Sequence, residues 1–324
     1  MTEGASRAAA ADLGRLGGRE RSAARPGPGP IAERLVRQLE LSMTRRVGGQ
    51  LSGDHLGRGR GTGVELDRIR PYEPGDDVRR IDWNATARST QTQIREDVPD
   101  RQLTAWLLLD HSPSMHFGTA DRRKADVAEG AALVVGRFAA RRGDRLGIVT
   151  FGSGRETVLP PAGGRRGMLG LIRTVSDEAP DEGGGLTSPA KALSLVAASR
   201  SPGGVVVVVS DFRGPRDWIG PLTHVAGRHA VIALEVTDPR EEQLVDVGEL
   251  TLVDPETGRT LRVDTGDRSL RQAFESAAAA DRTSLAAEFR RLGIRHLRLS
   301  TDGPWLPALA RGFSRTPERT GRSA

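Results

Sequence analysis

The spacing of apolar and polar positions changes character near residue 101. Beyond it, short apolar runs alternate with longer stretches of helical periodicity. Leu103–Asp110 predicts a strand, and Arg122–Arg141 a helix with Val127, Ala131, Val134, Val135 and Phe138 on one face. Arg145–Phe151 is a second strand, with Glu156–Leu159 pairing back antiparallel through Gly152-Ser153-Gly154. Met168–Ser176 and Pro189–Ala198 predict helices, the latter with proline in its first turn. Val205–Ser210 reads as a buried strand, Trp218–Ala226 as a helix and Ala230–Val236 as a strand. Leu250–Val253 and Thr260–Val263 flank Asp254-Pro255-Glu256-Thr257-Gly258, a hairpin signal. A long helix over Ser269–Leu292 and a strand at Ile294–Leu299 complete the series. Strands alternating with helices predict an α/β fold: a doubly wound, mostly parallel sheet covered on both faces.

The first hundred residues are organised differently. Residues 1–30, with the run Pro26-Gly27-Pro28-Gly29-Pro30, predict a disordered tail. Ile31–Met43 predicts a short amphipathic helix through Ile31, Leu35, Val36 and Leu39. Gly48–Gly63 reads as loop, because Gly57, Gly59, Gly61 and Gly63 miss the spacing of a phosphate cradle and open no helix. Asp67–Arg88 is dense in charge and turns. The expected division is therefore a tail (1–30), an N-terminal helix with a small β-rich module (31–100), the α/β domain (101–311) and a second disordered tail (312–324).

Hydrophobic residues make up 37% of the 324 and charged residues 28%, enough for a sizeable core. A purely apolar stretch such as Val205–Val209 is far short of the roughly 20 residues a spanning helix needs. The arginine-rich start lacks an apolar signal region, so a cytoplasmic location with no membrane span is expected. The absence of cysteine removes disulfides, thiol catalysis and thiolate zinc sites. The net charge of +6 is concentrated at the ends: residues 1–50 carry +4 and residues 311–324 carry +3, leaving about −1 between them. Lysine occurs only at Lys124 and Lys191, so arginine excess is a habit of the whole chain and weak support for nucleic-acid binding. A single tyrosine, Tyr72, and 4% aromatics also argue against a stacking platform for single strands.

The candidate chemistry is a set of oxygens. Asp110, Ser112 and Ser114 follow the first α/β strand, Thr187 opens a helix after Gly183-Gly184-Gly185, and Asp211 closes Val205–Val209. Each lies where an open α/β sheet presents ligands. Two carboxylates with three hydroxyls, and neither sulfur nor imidazole, call for a hard divalent ion: Mg2+ first, then Mn2+ or Ca2+. Asp110 or Ser112 alone would read as a helix cap and Asp211 alone as a turn residue; the complete set is what favours a site. His111 and His116 flank it and read as exposed rim residues, and Lys124 as a side chain snorkelling over its helix.

Asp-x-Ser-x-Ser, the later threonine and the later aspartate resemble the metal-ion-dependent adhesion site of the von Willebrand factor A domain. The resemblance spans roughly Leu103–Leu299 and implies that the strands ending in Asp110 and Asp211 are neighbours. It also implies that a partner's carboxylate completes the ion's sphere. A second resemblance is narrower. Arg70, Pro71, Tyr72, Pro74, Gly75, Asp76, Asp77, Arg79, Arg80, Ile81, Asp82, Trp83, Asn84, Ala87 and Arg88 are similar to the signature of domain-of-unknown-function family fifty-eight. Ser114-Met115, Phe117-Gly118, the hairpin segment near Asp254 and Leu299-Ser300-Thr301-Asp302 agree with it. That family implies a von Willebrand A-like domain with a β-rich N-terminal module and frequent partnership with MoxR-type AAA+ ATPases, thought to remodel or mature other proteins. Many relatives carry membrane helices before the signature, and this chain shows none there. Within the signature, Asp76, Asp77, Arg79, Arg80, Asp82 and Arg88 invite a salt-bridge network between module and main domain, organised around Ile81 and Trp83; a docking surface for an ATPase is the functional alternative.

Enzyme motifs fail on spacing. A haloacid-type phosphatase needs aspartate where Ser112 stands, and neither a serine-hydrolase elbow nor a Walker lysine loop is present. The expectation is a non-enzymatic, chaperone-like interaction protein. It would bind a MoxR-type ATPase or its client through the metal site, with no small-molecule substrate and no nucleic acid. The alternatives are a metal-assisted hydrolase using His111 or His116 as base and, ranked last, nucleic-acid binding through the arginine tails.

Overall fold

Continuous runs of branched and aromatic residues fit strands buried on both faces, and the chain uses them that way. The computed structural model describes residues 27–37, 64–99, 102–141, 143–152, 156–176, 187–199, 201 and 203–314. Its strands are β1 (Val64–Pro71), β2 (Gln93–Pro99), β3 (Thr104–Asp110), β4 (Arg145–Phe151) and β5 (Val158–Gly163). They continue with β6 (Val205–Ser210), β7 (Ala230–Thr237), β8 (Glu249–Val253), β9 (Thr260–Asp264) and β10 (Arg295–Ser300). The main helices are α1 (Lys124–Arg141), α2 (Gly164–Ser176), α3 (Ala190–Ala198), α4 (Ile219–Ala226), α5 (Arg268–Arg291) and α6 (Trp305–Ser314).

Six strands form the central sheet in the order β10-β7-β6-β3-β4-β5. All are parallel except the edge strand β5, which runs antiparallel to β4. Successive side chains of one strand serve opposite layers. Leu107 and Leu109 join Val207, Val209 and residues of α1 and α6, while Trp106 and Leu108 join Val206, Val208 and residues of α3, α4 and α5. Both β3 and β6 are buried at every position. The α/β expectation therefore holds, and β3 and β6 are neighbours as the resemblance implied.

The structure differs from expectation at the ends of elements. The edge strand sits a few residues later than Glu156–Leu159, at Val158–Gly163, and contains Pro160 and Pro161, which an edge strand accommodates. The helix α2 follows it directly through Gly164, whose φ of 52° turns the chain out of the strand. Residues 33–37 are helical, and Ile31, Leu35 and fully buried Val36 pack into the α1 layer instead of standing with the β-rich module. Pro28, expected in the tail, accepts a hydrogen bond at its carbonyl from Trp305 Nε1 at 2.9 Å. Trp305, Leu306, Leu309 and Phe313 explain the unforeseen α6, whose apolar face closes the same layer and carries the helix to Ser314, past the expected boundary at 311. The expectations for 1–26, 38–63 and 315–324 lie outside the described residues.

The signature residues build a small module around the antiparallel pair β1–β2. Arg70 grips both carboxylate oxygens of Asp76 at 2.6 and 2.7 Å. Asp77 caps the turn at Arg79, and Asp82 accepts from the backbone of Asn84 and Ala85 at 3.0 Å each. Arg88 Nε donates to the carbonyl of Asn84. Gly75 takes φ 112° in the Pro74-Gly75 turn, and Ile81 bridges to buried Ile94. These contacts lie within the module. The expected packing role of Trp83 is corrected: its side chain is 70% exposed.

Candidate metal centre

The C-terminal ends of β3 and β6 meet at the point where strand order reverses, the usual crevice of an open α/β sheet. Asp110 ends β3 and is buried. Its Oδ1 accepts from the backbone of Ser112 at 2.9 Å, and its Oδ2 from the Ser210 hydroxyl at 2.5 Å. The hydroxyls of Ser112 and Ser114 lie 3.0 Å apart, both side chains facing the same buried space. Thr187 arrives from the other side. A Cβ added to Gly152 (φ 88°) would stand 2.7 Å from Thr187 Cγ2 and 2.8 Å from Asp110 Oδ1, so only glycine lets these loops close together. Gly214 makes a similar approach to the carbonyl of Thr187. The structure thus brings Asp110, Ser112, Ser114, Thr187 and Asp211 around one cavity of about 290 Å³.

Asp211 has a second partner that the sequence reading missed. Lys124 does not snorkel; it is fully buried, with Nζ 2.6 Å from Asp211 Oδ2 and 2.6 Å from Glu241 Oε1. Burial alone would lower the lysine's pKa, but the two carboxylates outweigh it and hold the pKa above its ordinary value. Burial likewise pushes Asp211 upward, and the Lys124 ammonium overcomes that, so Asp211 sits below the usual carboxylate range. Among the described residues Asp110 has no such cation. Burial, and then the charge of Asp211, push it up to about 7 against the hydrogen bonds from Ser112 and Ser210. The signal that marked Lys124 was its rarity in a chain that otherwise uses arginine. Ser210, Glu241 and Glu256 carried no comparable signal.

Backbone strain fixes the second loop. Phe212, directly after Asp211, adopts φ 54°, a left-handed value uncommon outside glycine. Its ring packs edge-on against Trp218 and Phe289, with centroids 5.8 and 5.1 Å away. Aromatic packing therefore holds the backbone turn that aims Asp211 into the crevice.

The donor set suits a hard divalent cation. Asp110 is a buried carboxylate with no positive partner in contact among the described residues, beside two hydroxyls and a threonine, all oxygen. Among the described residues no group of three or more His, Cys, Asp or Glu side chains is arranged to hold a metal. His116 is exposed, and neither it nor His111 lines the cavity.

Sheet order and the position of these loops define a von Willebrand A-like α/β domain. The chain belongs to the family described as Protein of unknown function DUF58, which it matches over residues 68–284. An uncharacterized protein of Mycobacterium tuberculosis is 39% identical over 282 residues, covering 87% of this chain and 89% of the relative. Another, from Mycobacterium avium, is 38% identical over 155 residues, 48% of this chain and 91% of the relative. Among solved structures, the conserved hypothetical protein BatB of Bacteroides thetaiotaomicron aligns at TM-score 0.44 and 16% identity, over 65% of this chain and 97% of that one. The SpRpn10 VWA domain aligns at TM-score 0.37 and 12% identity, over 69% and 100%. No helix among the described residues is long and apolar enough to cross a membrane.

Proposed function

We propose that the chain is a non-enzymatic interaction protein that holds a partner or client through a divalent ion at this site. Asp110, Ser112 and Ser114 would ligate Mg2+, or Mn2+ or Ca2+ in its place, and Thr187 and Asp211 would complete the shell directly or through water. The ion's chemistry is that of a connector: a Lewis acid that accepts an acidic side chain from the partner. The observation that carries this reading is the convergence of all five oxygen-bearing residues, from loops a hundred positions apart, on one cavity. The partition of charge supports it, since Lys124 contacts Asp211 and Glu241, Arg213 stands 3.5 Å from Glu241, and among the described residues no cation contacts Asp110. With affinity near cellular free magnesium, about millimolar, the metal alone would add only about 0.4 kcal/mol to stability. The ion would then serve binding more than folding.

The family resemblance supplies the partner class, a MoxR-type AAA+ ATPase or its client, in protein remodelling or maturation. The test is retention of such an ATPase on the immobilised chain, with and without chelator and with Asp110→Ala. Capture that requires Mg2+ and is lost in the variant is the expected result; capture unchanged in all three arms ends this reading.

A further inference from the structure

Part of the cavity's lining comes from a separate hairpin of the chain. Asp254, Pro255 and Glu256, at the tip of the β8–β9 hairpin, line it together with Asp110 and Ser114. The two acids of that tip are engaged differently. Asp254 is engaged within its own turn, where it accepts from the backbone of Glu256 at 3.1 Å and from the Thr257 hydroxyl, while its carbonyl accepts from Gly258 at 2.8 Å. Glu256 instead reaches across to the donor loop, where its Oε1 accepts from the backbone N–H of Ser114 at 3.3 Å. Its side chain is half-buried there, and burial raises its pKa.

The hairpin is fastened at its base and touches the donor loop at its tip. Among the described residues β8 and β9 pair with each other and with no strand of the central sheet. A lone two-stranded hairpin is marginally stable in water. The base is fastened at fully buried Thr265, whose hydroxyl donates to Gly248 at 2.7 Å and accepts from Val247 at 3.0 Å. The tip is held to the donor loop by the Glu256 contact.

We propose that Glu256 is the chain's own ligand for the adhesion site: its carboxylate takes the ion's last position in the resting protein, and a partner's acid enters only by displacing the hairpin tip. This rests on the metal-site reading above, and goes beyond it by placing a competitor for the partner within the same chain. Glutamate has the charge and reach a partner's acid would need, and its position is fixed by a turn that is already hydrogen-bonded.

The experiment uses the full chain with Mn2+ as probe. Affinity is read from the free Mn2+ electron paramagnetic resonance signal, and open coordination from water-proton relaxation. Glu256→Gln is expected to weaken Mn2+ binding about tenfold or more, of the order seen when a ligand-supporting contact is removed. It is also expected to raise the relaxivity of the bound ion by adding an exchangeable water. Acetate should then quench that added relaxivity at concentrations that leave the parent protein unchanged. Mg2+ should slow amide exchange at residues 254–258 in the parent chain and not in Glu256→Gln. If Asp110→Asn abolishes Mn2+ binding while Glu256→Gln alters neither affinity, relaxivity nor exchange, the self-ligand inference falls and the metal site stands. If Asp110→Asn leaves Mn2+ binding untouched, both fall.

Discussion

Replacing Lys124 by methionine probes the buried charge arrangement directly. Methionine keeps the unbranched length but removes the ammonium, leaving Asp211 and Glu241 without the cation that contacts both at 2.6 Å. The lysine is fully buried and the two acids keep only 5% and 12% of their side-chain surface exposed. Water therefore compensates little, and removal of one partner from such a buried pair costs about 3–5 kcal/mol. For a domain of this size each kcal/mol shifts the melting temperature by about 2–4 °C, which gives a loss of about 6–20 °C. Urea unfolding with and without Asp211→Asn and Glu241→Gln in the same chain supplies the control. Neutralising both acids should return most of what Lys124→Met removes, because the penalty is the charge of Asp211 left without a cation and of Glu241 left with only half-exposed Arg213 at 3.5 Å. A Lys124→Met loss below about 1 kcal/mol, the value of an exposed ion pair, would refute this account.

Two further outcomes follow from the same site. Asp110 binds its proton more tightly folded than unfolded, so its contribution to metal-free stability is complete below about pH 4 and is lost as pH rises toward about 7. Urea midpoints measured in chelator should therefore fall across that window, and Asp110→Asn should flatten the slope; an unchanged slope would contradict the assignment. Gly152→Ala places a methyl group 2.7 Å from Thr187 and in a left-handed backbone position, so a loss of about 1–3 kcal/mol together with loss of Mn2+ binding is expected by calorimetry.

Local pattern was enough for the parts of this molecule that are locally determined. The unbroken apolar runs of β3 and β6 could only be doubly covered strands, and their ends carried Asp110 and Asp211 to one crevice. The turn residues 254–258 marked their hairpin just as directly. What stayed hidden depends on distance in the chain. Nothing near Lys124 indicates that Asp211, 87 residues away, will meet it. Nothing near Glu256 indicates that Ser114, 142 residues away, will do the same. The signature charges were legible as candidates for pairing but without their partners, because charge pattern specifies sign and not address. Trp83 shows the same limit: an aromatic residue among charges reads as packing, yet tertiary context leaves it in solvent.

The edge strand β5 has its own consequence. Pro160 and Pro161 carry no backbone donor and stand where the β4–β5 register shifts, so this edge of the sheet is irregular in its hydrogen-bonding groups. A neighbouring polypeptide seeking to extend the sheet there would find an interrupted row of N–H groups, which disfavours fibrillar stacking and strand exchange along that margin.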